Sequence, residues 1–165
     1  MRVVGIDPGQ TGGIALLTPR TVSARVMPLL PKEEWKDAGS PIDWRTFHPL
    51  LLEWAPDIVI VERVSSMPGQ GVASTFRFGS NYGGLLAVVH GLAIQCRLVV
   101  PRVWKKHVLG EDFAHDKAGA AAFVEHHHPE LSLLPTPRSK KPHDGMADAI
   151  CIAHYAATEH AKRMP

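Results

Sequence analysis

The chain has 165 residues, which suits one domain, since independent domains hold roughly 100 to 200. Apolar residues at 45% and charged residues at 21% support a buried core and exclude wholesale disorder. A formal charge of only +2 excludes nucleic-acid binding by net charge alone, so such a role must rest on where the cations lie. Cys96 and Cys151 lie far apart inside apolar segments, as buried thiols in a reducing compartment do and a disulfide framework does not. Met1 runs directly into a strand carrying Asp7, which leaves no room for a signal peptide. No stretch approaches the roughly 18 apolar residues of a membrane helix. An intracellular, cytoplasmic protein with no membrane partner is expected.

Val3 to Ile6 is a short β-branched run that stops at Asp7-Pro8-Gly9, and Gly13 to Leu17 resumes it, which predicts a hairpin. Thr21 to Met27 alternates as a third strand. Pro28 and Pro31 end it, and an exposed loop to Pro41 follows. Asp43 caps a helix with Phe47, Leu50, Leu51 and Trp54 on one face, closed by Pro56. Ile58 to Val61 is continuously apolar, the pattern of a central strand covered on both faces, and it delivers Glu62 and Arg63. A Ser, Pro and Gly loop from Ser65 leads to a long helix over Val72 to Ile94, whose Gly79, Gly83, Gly84 and Ala87 permit close packing. Cys96 to Val100 is a fifth strand, Val103 to Leu109 a short basic helix stopped by Gly110, and Asp116 to His127 another helix. Leu134 to Pro142 is a loop, and Asp144 to His160 is the last helix. The order βββαβαβα predicts an α/β fold, a mixed sheet with helices on its faces in a single domain over 1–165.

Acids stand at the edges of otherwise apolar elements: Asp7, Glu62, and the pair Asp144 and Asp148. The Asp7 and Glu62 strands are expected to be neighbours, and Asp144 and Asp148, four apart, share one face of a helix near its start. Singly, each has a plainer explanation: Asp7 as a turn residue before Pro8, Asp144 as a helix cap, Glu62 as a partner of Arg63 or Arg2. As a set they are harder to dismiss, because Asp148 lies past any cap among Ala147, Ala149, Ile150 and Ile152. Converging carboxylates repel, so such a cluster calls for a cation, and oxygen ligands alone suit Mg²⁺ or Mn²⁺. Two such ions about 3.5–4 Å apart hydrolyse phosphodiesters.

Gly5-Ile6-Asp7-Pro8-Gly9 with Thr11-Gly12-Gly13, Val59-Ile60-Val61-Glu62, Val103-Trp104-Lys105-Lys106-His107-Val108-Leu109-Gly110 and Ala147-Asp148-Ala149-Ile150-Cys151-Ile152-Ala153 together resemble, in order, the motifs of RuvC-type Holliday-junction resolvases. The resemblance spans almost the whole chain. It implies a ribonuclease H-like fold, a mixed five-stranded sheet flanked by helices on both faces. It also implies a Mg²⁺-dependent crossover-junction endodeoxyribonuclease, bacterial or phage-encoded, that acts as a homodimer and makes paired nicks in a four-way DNA junction. Asp7, Glu62 and Asp148 are then metal ligands. The family places a further acid or His three residues before the last Asp, where this chain has Gly145. Asp144 is taken as the fourth ligand by helical geometry, with His143 assisting or only capping.

Cations flank the acids in sequence: Lys105, Lys106 and His107, then Lys117, then Arg138, Lys140 and Lys141. They suit a phosphate backbone entering an acidic site, with Lys105 and Lys117 the favoured contacts and a solvated surface the plain reading of any one. Phe76 and Arg77 lie in a Gly- and Ser-rich stretch from Ser65 to Phe78 that fits a loop folded over DNA. Phe76 is then either a wedge at the junction's centre or core at a helix start. The Gly-rich helix is either a dimer face or packed on the sheet. Rival functions are a catalytically silent nucleic-acid-binding relative and an actin-like ATPase, the latter disfavoured by the lack of a second phosphate loop.

Overall fold

The computed structural model describes residues 1–65, 69, 71–111, 116 and 118–161. Five strands, β1 (Val3–Asp7), β2 (Gly13–Leu17), β3 (Val22–Val26), β4 (Ile58–Glu62) and β5 (Gln95–Val99), form one sheet in the order β3-β2-β1-β4-β5. The β1–β2 and β2–β3 pairs are antiparallel, whereas β4 runs parallel to both β1 and β5. The sheet is therefore mixed, with β1 at its centre between β2 and β4.

Alternation along these strands divides the core in two. Val4, Ile6, Val59 and Val61 face one side, where α2 (Trp44–Trp54) contributes Phe47, Leu50, Leu51 and Trp54 and α3 (Val72–Gly91) contributes Leu85 and Val89. Val3, Ile58 and Ile60 face the other, under α4 (Pro101–Leu109), α5 (Gly119–His127) and α6 (Asp144–Ala161). The expected helices on both faces are present. The same alternation puts Asp7 and Glu62, which end β1 and β4, on the α6 side. They lie one step beyond the Ile6 and Val61 pairing of the parallel ladder.

Helix α6 lies almost in backbone contact with β1 and β2. A methyl group on Gly5 would collide with the Ala149 carbonyl and the Ala153 backbone, and one on Gly13 or Gly145 would collide with the opposing backbone. The remainder of the α6 contact surface is Ala147, Ala149, Ile150, Cys151, Ile152 and Ala153, all fully buried. Helix α5 is joined to α6 by His128 and His154, whose Nε2 atoms lie 2.7 Å apart. Burial first, then the neighbouring His128 and His127, pushes the His154 imidazole down to about 4, so it is neutral in the fold at neutral pH.

Several expected boundaries shift for local reasons. The stretch 28–41 is not a bare loop: it holds a 3-10 turn (Lys32–Glu34) and the short helix α1 (Trp35–Ala38), pinned by Trp35 Nε1 donating to the Leu30 carbonyl at 2.8 Å. Asp43 caps α2 as expected, accepting from the Arg45 N–H. The helix ends at Trp54, two residues before Pro56, and its cap Ala55 takes a left-handed φ of 41°. Helix α3 stops at Gly91 instead of Ile94, with a turn through Ala93 at φ 55°. Pro101 begins α4 rather than preceding it, because the first helical position needs no N–H. Helix α5 starts at Gly119, not Asp116, whose side chain instead accepts from the Ala118 N–H and favours a turn. Cys96 is half-buried on β5, not buried. Among the described residues no helix is long and apolar enough to cross a membrane.

Gly5→Ala is expected to lower stability by about 1–3 kcal/mol, because α6 must lift to admit the methyl group. Gly91→Ala, where a methyl group meets nothing within 4 Å, should change it by less than about 1 kcal/mol. Thermal or urea melts of the two variants check the contrast; equal effects would contradict the close approach.

Candidate active site

Three carboxylates meet where β1, β4 and α6 converge. Asp7 and Glu62 arrive from the ends of adjacent parallel strands, and Asp148 from the second turn of α6. Burial, then the charges of Glu62 and Asp148, pushes the Asp7 carboxyl from 3.8 up to about 8. Asp148 rises to about 6, chiefly through burial, with Glu62 and Asp144 adding to the rise. Glu62 is also raised by burial. The ammonium of Lys105 opposes all three shifts, which places it at the same cluster.

The hairpin turn that carries Asp7 is closed by the Gly12 N–H donating to the Gly9 carbonyl at 3.2 Å, with Gly9 at φ 133°, a conformation that favours glycine. This turn abuts the start of α6, where Gly12 and Gly145 form a β-bridge. A side chain at 145 would collide with the Thr11 carbonyl and the Gly12 backbone. No ligand can therefore stand three residues before Asp148. Asp144, the first residue of α6, is exposed at the rim and reaches the cluster through its charge on Asp148. His143 caps the helix: its Nδ1 accepts from the Met146 N–H at 3.2 Å and its carbonyl from Met146 and Ala147.

One residue of the site is absent from the sequence-derived set. Trp104 is fully buried, and its Nε1–H donates to Glu62 Oε2 at 2.7 Å. Its signal was a tryptophan in a basic helix, four residues before Val108 and so on one face with it; a buried indole needs an acceptor for its N–H.

The cations divide. Lys105 joins the acids, whereas the adjacent Lys106 turns outward to Glu111. Arg138, Lys140 and Lys141 are exposed on the loop before α6, and Lys117 lies outside the described residues. Phe76 and Arg77 are on α3, not on a loop, because the helix already begins at Val72. Phe76 is 75% exposed, which removes the reading of it as core.

Whether these residues suit a divalent ion turns on donor chemistry. Among the described residues no group of three or more His, Cys, Asp or Glu side chains is arranged to hold a metal ion by itself. Mg²⁺ rarely uses cages built of protein alone: it keeps several waters and takes one or two carboxylates together with phosphate oxygens. Three half-buried oxygen-donor acids, with the charge of Glu62 raising both Asp7 and Asp148, fit an open site of that kind.

The backbone matches the structure of Thermus thermophilus RuvC with a TM-score of 0.65 at 22% identity, over 98% of this chain and 96% of that one. It also matches T. thermophilus RuvC in complex with Holliday junction substrate, with a TM-score of 0.62 at 19% identity, over 99% and 97% of the two chains. The fold is that of RuvC. No family model matches the chain, and no curated protein does. The RuvC fold accords with the ribonuclease H-like sheet expected from the motifs.

The raised Asp7 carboxyl gives a pH signature. A carboxyl raised in the fold contributes stability that is complete below its unfolded value of 3.8 and is lost as the pH rises through about 8. Without divalent cations the melting temperature should therefore fall from pH 6.5 to about 8 and level off above it, a window above the titration of His154. Asp7→Asn should flatten the fall, and Mg²⁺ should reverse it. An identical slope in wild type and Asp7→Asn would contradict the coupling.

Proposed function

We propose that the chain is a divalent-metal-dependent endonuclease that resolves four-way DNA junctions, a single nuclease domain over residues 1–165 acting as a homodimer. The observation that carries this reading is the convergence of the half-buried Asp7, Glu62 and Asp148 beside Lys105. Supporting it is the fold shared with a RuvC known in complex with Holliday junction substrate. Asp7, Glu62 and Asp148, with Asp144 at the rim, are the residues that would hold Mg²⁺, or Mn²⁺ in its place. When bound, a pair of such ions activates water and neutralises the leaving oxygen of a phosphodiester.

The remaining roles fall to the chain's own side chains. Lys105 supplies positive charge where the scissile phosphate meets the acids. Arg138, Lys140 and Lys141 before α6, with Lys106 and Lys117, hold the flanking backbone electrostatically. Phe76, an exposed aromatic ring with Arg77 beside it, is suited to stack in the open centre of a junction. The exposed Gly83 and Ala87 of α3 permit a second copy to approach closely. Two copies related by a twofold axis would bring two sites to one junction and cut it in paired, symmetric nicks.

Cleavage of a synthetic four-way junction beside matched linear duplex, with and without Mg²⁺, tests the reading. Wild type should nick the junction in symmetric pairs only with metal. Asp7→Asn should abolish cleavage and keep binding, because the acids serve chemistry and the cations serve affinity. Lys105→Ala should weaken binding and reduce its salt slope by about 1. A folded wild type that cuts no DNA even with Mn²⁺ would contradict the proposal and favour a silent binding protein.

A further inference from the structure

Trp104 is the largest fully buried side chain among the described residues, yet its helix neighbours Arg102, Val103 and Lys106 are exposed. A buried indole has a single N–H and must place it on an acceptor. Here the acceptor is Glu62 Oε2, 2.7 Å away. The face of the same ring is occupied as well: the Lys105 ammonium lies 5.2 Å from its centroid, within cation–π range. Successive helix residues do not face one another. Lys105 nonetheless reaches the ring of its neighbour, and its ammonium lies near enough to the acids to lower the pKa of all three. One buried side chain thus touches both an acid and the cation of the site, on different parts of its ring.

We propose that Trp104 is a positioning residue for the metal centre, holding Glu62 by Oε2 so that Oε1 is presented to the ion, and seating Lys105 beside the same carboxylates. The inference rests on the metal-binding reading above. Trp104 has no exposed surface, so it acts through Glu62 and Lys105 and does not meet ion or DNA itself. Groups that hydrogen-bond a metal ligand from behind orient it, and their loss typically weakens metal affinity about 10- to 100-fold. A carboxylate already held in one orientation also loses less rotational freedom when it binds.

Trp104→Phe keeps a buried ring and removes the donor. Two measurements decide the case: Mn²⁺ affinity by calorimetry in wild type, Asp7→Asn and Trp104→Phe, and the indole N–H signals of wild type by NMR during a Mg²⁺ titration. The expected result is about 10-fold or greater loss of Mn²⁺ affinity in Trp104→Phe. The Trp104 indole signal should move as Mg²⁺ saturates, while those of Trp35, Trp44 and Trp54 hold still. Unchanged affinity in Trp104→Phe, or an indole signal indifferent to bound Mg²⁺, would overturn the positioning role, since a merely structural tryptophan predicts both. If the variant fails to fold, the wild-type indole titration decides alone. Equal Mn²⁺ binding by wild type and Asp7→Asn, or none by either, would instead remove the metal-binding reading and this inference with it.

Discussion

The structure depends on how closely α6 can lie against β1 and β2. At Gly5, Gly13 and Gly145 there is no space for even one methyl group, so helix and sheet meet backbone to backbone, with Ala147, Ala149 and Ala153 filling what remains. Such a contact makes position unusually rigid, because no flexible side chain separates the two elements to absorb error. Asp148 is carried on this helix and Asp7 on this sheet. Their separation is therefore set by main-chain packing rather than by rotamer choice.

That rigidity comes with an electrostatic cost. Burial and mutual repulsion push Asp7 and Asp148 far above ordinary carboxyl values, so the fold holds its acids in a state they would not choose in water. Lys105 offsets part of this cost at all three acids, and the Trp104 N–H does so at Glu62, without cancelling it. A site built this way favours whatever brings positive charge into it. In the proposed reading that is the divalent ion, and the residual repulsion becomes binding free energy for it.

Much of this was legible from residue order. A continuous apolar run ending in an acid, Val59 to Glu62, let the strand and its burial be read together and marked Glu62 as a candidate. Asp7 and Glu62 share a face because Asp7 lies four residues after Val3 and Glu62 four after Ile58, which is a matter of pleat alternation. Other features depend on long-range contacts that no local pattern encodes. The absence of an acid at Gly145 looked like a departure from a motif; the structure makes it a steric necessity imposed by Thr11 and Gly12, more than 130 residues away in the chain. Trp104 carried only the signal of a tryptophan in a basic helix, which names no partner, because Glu62 lies 42 positions earlier. Phe76 left two readings open, core or wedge, until its exposure on α3 excluded the first.

The most direct test of the central claim, that the half-buried acids form a cation site, is anomalous diffraction from crystals of the wild type soaked in Mn²⁺. The account predicts an anomalous peak bounded by the carboxylates of Asp7, Glu62 and Asp148. A well-ordered site with no peak there, or Mn²⁺ bound only at other residues, would contradict it.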